Sequence, residues 1–327
     1  MQPTDNNINP INQPASADTD AREPAFIITV DTEGDNLWQY KPGDVITTRN
    51  TAFIPRFQQL CDRFGFKPVY LTNYEMAMDD SFVELAKEWL SEERCEIGVH
   101  LHAWNNPPLH RLTGPHPGQP YLIEYPEEVM RQKFDTIYRL LHERFGITPT
   151  SHRAGRWAMN GTYFKILKEF GITVDCSHTP GISWSQSYGI TCGGSDYRHI
   201  SPQVSNIDGV LEVPMTVRHT HMAPAGGLKH RLKTLIGGTT VWLRPATESA
   251  ASMIWLADKV HKEADCDYLE FMIHSSELMP GGSPYITDDK SLEQFYAKME
   301  ALMSHVHALG YRGQTLSDYQ KRHTERT

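Results

Sequence analysis

The sequence lacks any long apolar segment free of charge, and its mean hydropathy is negative. A membrane-spanning helix needs about 20 consecutive apolar residues, so none is expected. Its first residues show no basic region followed by an apolar stretch, and no secretory signal is expected. Basic residues are in the minority, 31 Lys and Arg against 40 Asp and Glu, for a formal net charge of -9. That balance argues against a nucleic-acid partner, because phosphate binding is driven mainly by Lys and Arg. A neutral or cationic substrate is expected instead. Cysteine is also sparse: Cys61, Cys95, Cys176, Cys192 and Cys266 are odd in number and contain no Cys-x-x-Cys pair. Reduced thiols in a cytosolic protein are the expectation.

What is present is enough apolar residue, 39% of 327, for a sizeable core. Residues 1–23, rich in Asn, Pro, Asp and Gln, are expected to form a disordered tail. A single folded domain is expected over 24–320, with a short C-terminal tail at 321–327. AFIITVD is continuous and β-branched, the pattern of a strand buried on both faces. An alternation follows: a helix over Thr51–Phe64, a strand at KPVYLTN, a helix from Asp80 and a strand at CEIGVH. Then come a helix from Pro126 to Phe145, a strand near TSHRAG, a helix after Asn160 and a strand at ITVDCS. GVLEVPM and YLEFMIH are further strands, each followed by a helical segment, and RGQTLS is a last short strand. Strands alternating with helices imply βαβ units around a parallel sheet. Eight or so in series favour one closed or nearly closed (β/α) barrel, with its chemistry at the C-terminal ends of the strands. The basic stretch GGLKHRLKTLIGG, 226–238, fits neither element and is expected to be an insertion at an edge or the pocket mouth.

Polar residues gather where the apolar strands end. In DTEGD, Asp31 and Glu33 share a face of an extended backbone, with Cα atoms roughly 6.6 Å apart. One carboxylate could bind a metal while the other acts on its water, or the segment could be a solvated turn ending at Gly34. In EIGVHLHAW, His100 and His102 also share a face. They are either a ligand pair, for which imidazole suits zinc, or satisfied core histidines. His110 and His116 lie in a proline-rich loop and are expected at the surface or rim. In SHRAGRW, Arg153 could grip Asp31 in a bidentate pair and keep it ionised, or form a surface ion pair. Trp104 and Trp157 are candidate walls for a sugar ring, or simple packing. Asp175 and His178, in VDCSHTPG, follow another strand and are candidate substrate contacts. His274 ends YLEFMIH, where a histidine suits general acid or base work.

The ordered series DTE, EIGVHLH, RAGRW, Asp-Cys-Ser, IHSSEL and TLSDY, from Ala25 to Tyr319, resembles the NodB-type polysaccharide deacetylases. Within them it looks most like the divergent WbmS-like branch, associated with bacterial surface-polysaccharide (lipopolysaccharide) gene clusters. The resemblance implies a distorted (β/α) barrel of seven or eight mostly parallel strands. It implies Asp31 as catalytic base, Glu33 and His100 as metal ligands, Arg153 as tether of the base and His274 as general acid. The better-known members have adjacent aspartates, and a second ligand histidine where this chain has Trp104; His102 is the close substitute. The implied activity is metal-dependent removal of an N-acyl group, foremost N-acetyl, from an amino sugar, with zinc the first choice among divalent ions. A deformylase, a small-molecule amidase and a non-catalytic carbohydrate-binding protein are the alternatives.

Overall fold

The structure, a computed structural model, describes residues 23–41, 43–222, 235 and 237–325. Residues 1–22 of the expected tail at 1–23 and most of the 226–238 insertion lie outside the described residues. Strand β1, Ala25–Thr32, is buried along its whole length, as its unbroken apolar run requires. It pairs in parallel with β2, Pro68–Thr72, which continues to β3, Glu96–Leu101, and β4, Ser151–Ala154. Next are β5, Val174–Asp175, and β7, Val210–Glu212. β6, Ser205–Ile207, flanks β7. On the other side of β1 lies β10, Tyr268–His274. β8, Val217–Thr220, and β9, Thr239–Trp242, form a separate antiparallel pair, and β11, Arg312–Gly313, pairs with the start of β1.

Seven strands therefore run parallel, in the order β10-β1-β2-β3-β4-β5-β7. No ladder joins β7 to β10, but single bonds cross the gap. Thr216 Oγ1 accepts from Glu270 N at 2.8 Å, and Leu243 O accepts from Met272 N at 3.1 Å. The sheet is thus a curled, nearly closed barrel.

The helices cover its outside. In the helix Glu127–Phe145, residues Met130, Phe134, Ile137, Leu141 and Phe145 are buried, a stripe spaced three to four residues apart that faces the sheet. Gly146 ends it at φ 72°, and its N–H bonds to His142 O. The helix Gly161–Glu169 starts where Asn160 accepts a bond from Tyr163 N at 2.8 Å.

Three expectations change. The helix expected over Thr51–Phe64 is a 3-10 turn, Arg49–Phe53, leading into an α-helix, Ile54–Asp62, with Pro55 in its first turn. RGQTLS supplies only two strand residues, because Thr315 accepts a bond from Asp318 N and starts a helix, Leu316–Thr324. That helix runs four residues past the expected end of the folded domain. The β8–β9 pair and β6 are too short to show a period of two in sequence. No helix among the described residues is long and apolar enough to cross a membrane.

Candidate active site

Register builds the site. Asp31 lies beside His274 across β1 and β10, and His100 beside Arg153 across β3 and β4, so four strands deliver polar side chains to one rim. They line a cleft of about 520 Å³ that contains Asp31, Glu33, His100, His102, Trp104, Trp157 and His274.

Beneath the cleft, Arg153 is fully buried. Its Nη1 donates to Asp31 Oδ1 at 2.6 Å, its Nη2 to Thr29 Oγ1 at 2.6 Å and to Glu270, and its Nε to the Cys176 carbonyl at 3.2 Å. Burial raises the pKa of Asp31, but the Arg153 guanidinium, then His100 and His274, hold its carboxyl well below the ordinary range. Glu270 has the opposite fate. Burial pushes it up to about 7 although Arg153 and the Thr29 hydroxyl pull the other way, with the Asp31 charge adding to the rise, and Glu270 Oε2 has no hydrogen-bond partner.

Glu33, His100 and His102 are all buried, and one ligand atom from each lies within 4.8 Å of the others. His102 Nε2 is 3.3 Å and His100 Nε2 3.8 Å from Glu33 Oε2, while the two imidazole nitrogens are 3.1 Å apart. His100 Nδ1 bonds to the Arg153 carbonyl at 2.9 Å, which must accept, so Nε2 presents its lone pair to the cleft. Burial lowers His100 to about 4; burial, then His100, drives His102 well down, and both rings are neutral donors. Burial and then the Asp31 charge raise Glu33 well above the usual carboxyl value. Two neutral imidazoles and a carboxyl group short of positive charge converge on one point, and that donor set fits a divalent cation.

His102 is held differently from His100. Its Nδ1 has no partner, and its ring stacks on Trp104 at 4.2 Å and 19°. It also needs Gly155: a Cβ there would lie 2.5 Å from His102 Cδ2 and 2.4 Å from the Leu101 carbonyl oxygen. Glu33 is fixed through its backbone, its N–H donating to Ser275 Oγ at 3.0 Å and its carbonyl accepting from Asn50 Nδ2 at 2.8 Å.

His274 faces the same point, with Nε2 3.8 Å from Asp31 Oδ2. Arg244 Nη2 is 3.3 Å from its Nδ1. A guanidinium only donates, so where this bond forms Nδ1 accepts, and Nε2 is the ring nitrogen turned toward the cleft. Glu277 Oε2 lies 3.6 Å from Nδ1 and accepts the His274 backbone N–H at 2.9 Å. Burial opposes ionisation of Glu277, but His274 and Arg244 hold its pKa below the usual value. Trp38 donates to Ser276 Oγ at 3.0 Å and sets its ring edge-on to His274 at 5.0 Å.

Two sequence candidates are not brought here. Asp175 accepts from His152 Nδ1 at 2.6 Å and Ser177 Oγ at 2.8 Å, in a buried network that continues through His152 Nε2 to Tyr163. His178 packs on Tyr197 at 4.7 Å and Phe164 at 5.8 Å. Neither lines the cleft: the Asp175 carboxylate is engaged within the protein, and His178 Nδ1 is buried without a hydrogen-bond partner. His116 stacks on Tyr188 at 4.0 Å, also away from the lining. Sequence reasoning missed Arg244, Arg156, Trp38, Glu277 and Glu270. A lone acid inside the apolar strand YLEFMIH was the one available signal, since a buried charge needs a partner.

No protein-family model and no curated sequence matches the chain. Solved structures resemble it at low identity. The 4-alpha-glucanotransferase from Thermococcus litoralis is 13% identical with a TM-score of 0.52, over 91% of this chain and 40% of that one. The Xyl-CE4 domain of a multidomain xylanase from the hindgut metagenome of Trinervitermes trinervoides is 11% identical, TM-score 0.45, over 92% of each chain. A family 4 carbohydrate esterase from Streptomyces lividans is 9% identical, TM-score 0.42, over 90% of this chain and 93% of that one. At 13% identity the likeness to the Thermococcus litoralis structure is one of fold alone.

Proposed function

We propose that the chain is a metal-dependent hydrolase that removes an N-acyl group, foremost N-acetyl, from an amino sugar of a surface polysaccharide or its precursor. The observation that carries this reading is a convergence. The Glu33, His100 and His102 donors lie within 4.8 Å of one another, and Asp31 Oδ2 is 4.0 Å from His100 Nε2 and 3.8 Å from His274 Nε2. A metal-ligand set, a base and an acid thus share one cleft. The motif series from DTE to TLSDY supports the finer placement in the WbmS-like branch.

Glu33, His100 and His102 would hold the ion, with zinc favoured by two imidazoles and one carboxylate; such an ion makes water more acidic and polarises an amide carbonyl. Asp31 has Oδ1 bound to Arg153, which leaves Oδ2 to take the proton of the attacking water. His274, doubly protonated when it acts and with Nδ1–H toward Glu277, would give its Nε2 proton to the amine nitrogen as the C–N bond breaks; the ring returns to neutral, the amine leaves neutral, and the acyl group leaves as the carboxylic acid. Glu277 then faces the ring that has changed its proton count. Trp104 and Trp157 offer apolar faces to the sugar.

The test is acyl release from N-acetylated amino sugars and their polymers, assayed as free acetate or formate, with divalent metals added in turn. Acetate release that needs a divalent ion and disappears in Asp31→Ala is expected. Purified protein that neither binds a divalent metal nor releases an acyl group overturns the reading.

A further inference from the structure

The acidic net charge suggests a neutral or cationic substrate, but the cleft has a different local balance. Arg153 sits between Asp31 and Glu270, and Arg244 lies 3.5 Å from Glu277. Arg156 also lines the cleft. Among the described residues, no ion pair joins its guanidinium to a carboxylate. Nη1 donates to the Gln119 carbonyl, and Nη2 to Ser187 Oγ and the Tyr188 carbonyl, both at 3.1 Å. The guanidinium lies over the Tyr121 ring at 4.0 Å. Glu124, whose charge reaches it, has its own oxygens engaged by the N–H groups of Tyr121, Ile190, Thr191 and Cys192.

Five N–H donors belong to a guanidinium, and these contacts use three. Nε–H and one Nη1 proton remain, on a half-buried cation with no counter-ion. Burial pulls the Arg156 pKa down, the signature of a charge partly removed from water without full compensation.

The backbone points the same way. Arg156 has φ 54° and ψ 27°, and Trp157 follows at φ 62°. Consecutive left-handed residues that are not glycine are unfavourable and persist where the surroundings enforce them, commonly at functional sites. Here the turn puts both side chains into the cleft lining. A second cation points to the same ligand chemistry: Arg244 Nε is buried without a partner beside His274.

We propose that the substrate sugar carries a negative charge, a carboxylate or a phosphate, and that Arg156 receives it while Trp157 meets the ring. This rests on the deacetylase reading above. It narrows the substrate class to anionic amino sugars. A planar fork with free donors suits either oxyanion, since both present paired oxygens.

The experiment measures binding by calorimetry to the full chain loaded with metal, carrying Asp31→Asn to prevent turnover. The probes are N-acetylglucosamine, its uronic acid and its 6-phosphate, and the two charged probes separate carboxylate from phosphate. At least one charged sugar should bind about tenfold or more tightly than the neutral one, the factor a charge-assisted hydrogen bond supplies. The preference should shrink with added salt and fall to near one in Arg156→Gln. Arg156→Lys, which keeps the charge and loses the fork, should retain part of it, so a folding defect in Arg156→Gln does not remove the test. Equal binding of neutral and charged sugars, or a preference that survives in Arg156→Gln, overturns this inference while acetate release by the native chain leaves the deacetylase reading standing. Failure of all three sugars to bind, with no acetate released, overturns both.

Discussion

Asp31 and His274 face each other across the strand pair β1–β10, with Oδ2 and Nε2 3.8 Å apart, although 243 positions separate them in sequence. Arg153 holds Asp31 ionised, while Arg244 and Glu277 both face Nδ1 of His274 and leave its Nε2 toward the cleft. Asp31→Asn and His274→Gln should each lower kcat by about 10²–10⁴-fold, the usual contribution of a general base or acid. Metal content should stay unchanged in both, because neither residue belongs to the donor set. Loss of metal along with activity would move that residue into the ligand set.

His100 and His102 should differ in how they fail. His100 is anchored by a hydrogen bond to a carbonyl, His102 by its stack on Trp104. Trp104→Ala should weaken metal binding by about 10-fold, the lower end of losses seen when a supporting contact to a ligand is removed. Trp104→Phe should restore most of it. A chelator-competition titration measures both, and unchanged affinity in Trp104→Ala would show that the stack does not hold the ligand.

Glu270 should leave a mark on stability against pH. Unfolded, its carboxyl releases a proton near 4.5; folded, it keeps that proton up to about 7. Between those values the folded chain carries one more proton than the unfolded chain, so stability falls as pH rises across the window. Glu270→Gln should flatten that fall by on the order of 3 kcal/mol. Glu248, raised to about 7 mainly by burial, leaves a remaining slope of the same sign. Urea unfolding at a series of pH values provides the check, and an identical slope in the variant would refute it.

Lys133 supports the site from behind. It is fully buried, and its Nζ donates to the carbonyls of Ala103, Asn106 and Pro108 at 2.8, 2.7 and 2.8 Å. Those carbonyls belong to the loop that carries Trp104. Lys133→Met would leave three carbonyls without their donor, at a cost of about 3 kcal/mol or more. Thermal unfolding should show that loss, and metal affinity should fall with it because Trp104 steadies His102.

The strand ends were readable for a physical reason. A parallel sheet buried on both faces writes each strand as an unbroken apolar run, and the first polar residue after the run marks the rim. Asp31, His100 and His274 announce themselves in that way, whereas Arg153 follows Ser151 and His152 in a strand with no apolar run. Asp175 followed the same rule and still lies outside the cleft, since His152 captures its carboxylate. Arg244, Arg156 and Trp38 were hidden for the opposite reason. They come from turns and loops, where no period marks direction, and their roles depend on what the curl of the sheet brings near. Glu277 stood in view within IHSSEL, but its role depends on the tight turn that returns its carboxylate to the His274 backbone.

Gly155 has no side chain and binds nothing, yet it decides where a donor can stand. Its bare Cα is the space that the His102 ring edge occupies. Gly155→Ala would evict that ring while Glu33, His100 and His102 all remained in the sequence. An inventory of donor residues would then count a complete set in a protein that had lost one. Whether a donor can stand at position 102 is thus written on the neighbouring strand's exit, which must be left empty for its ring.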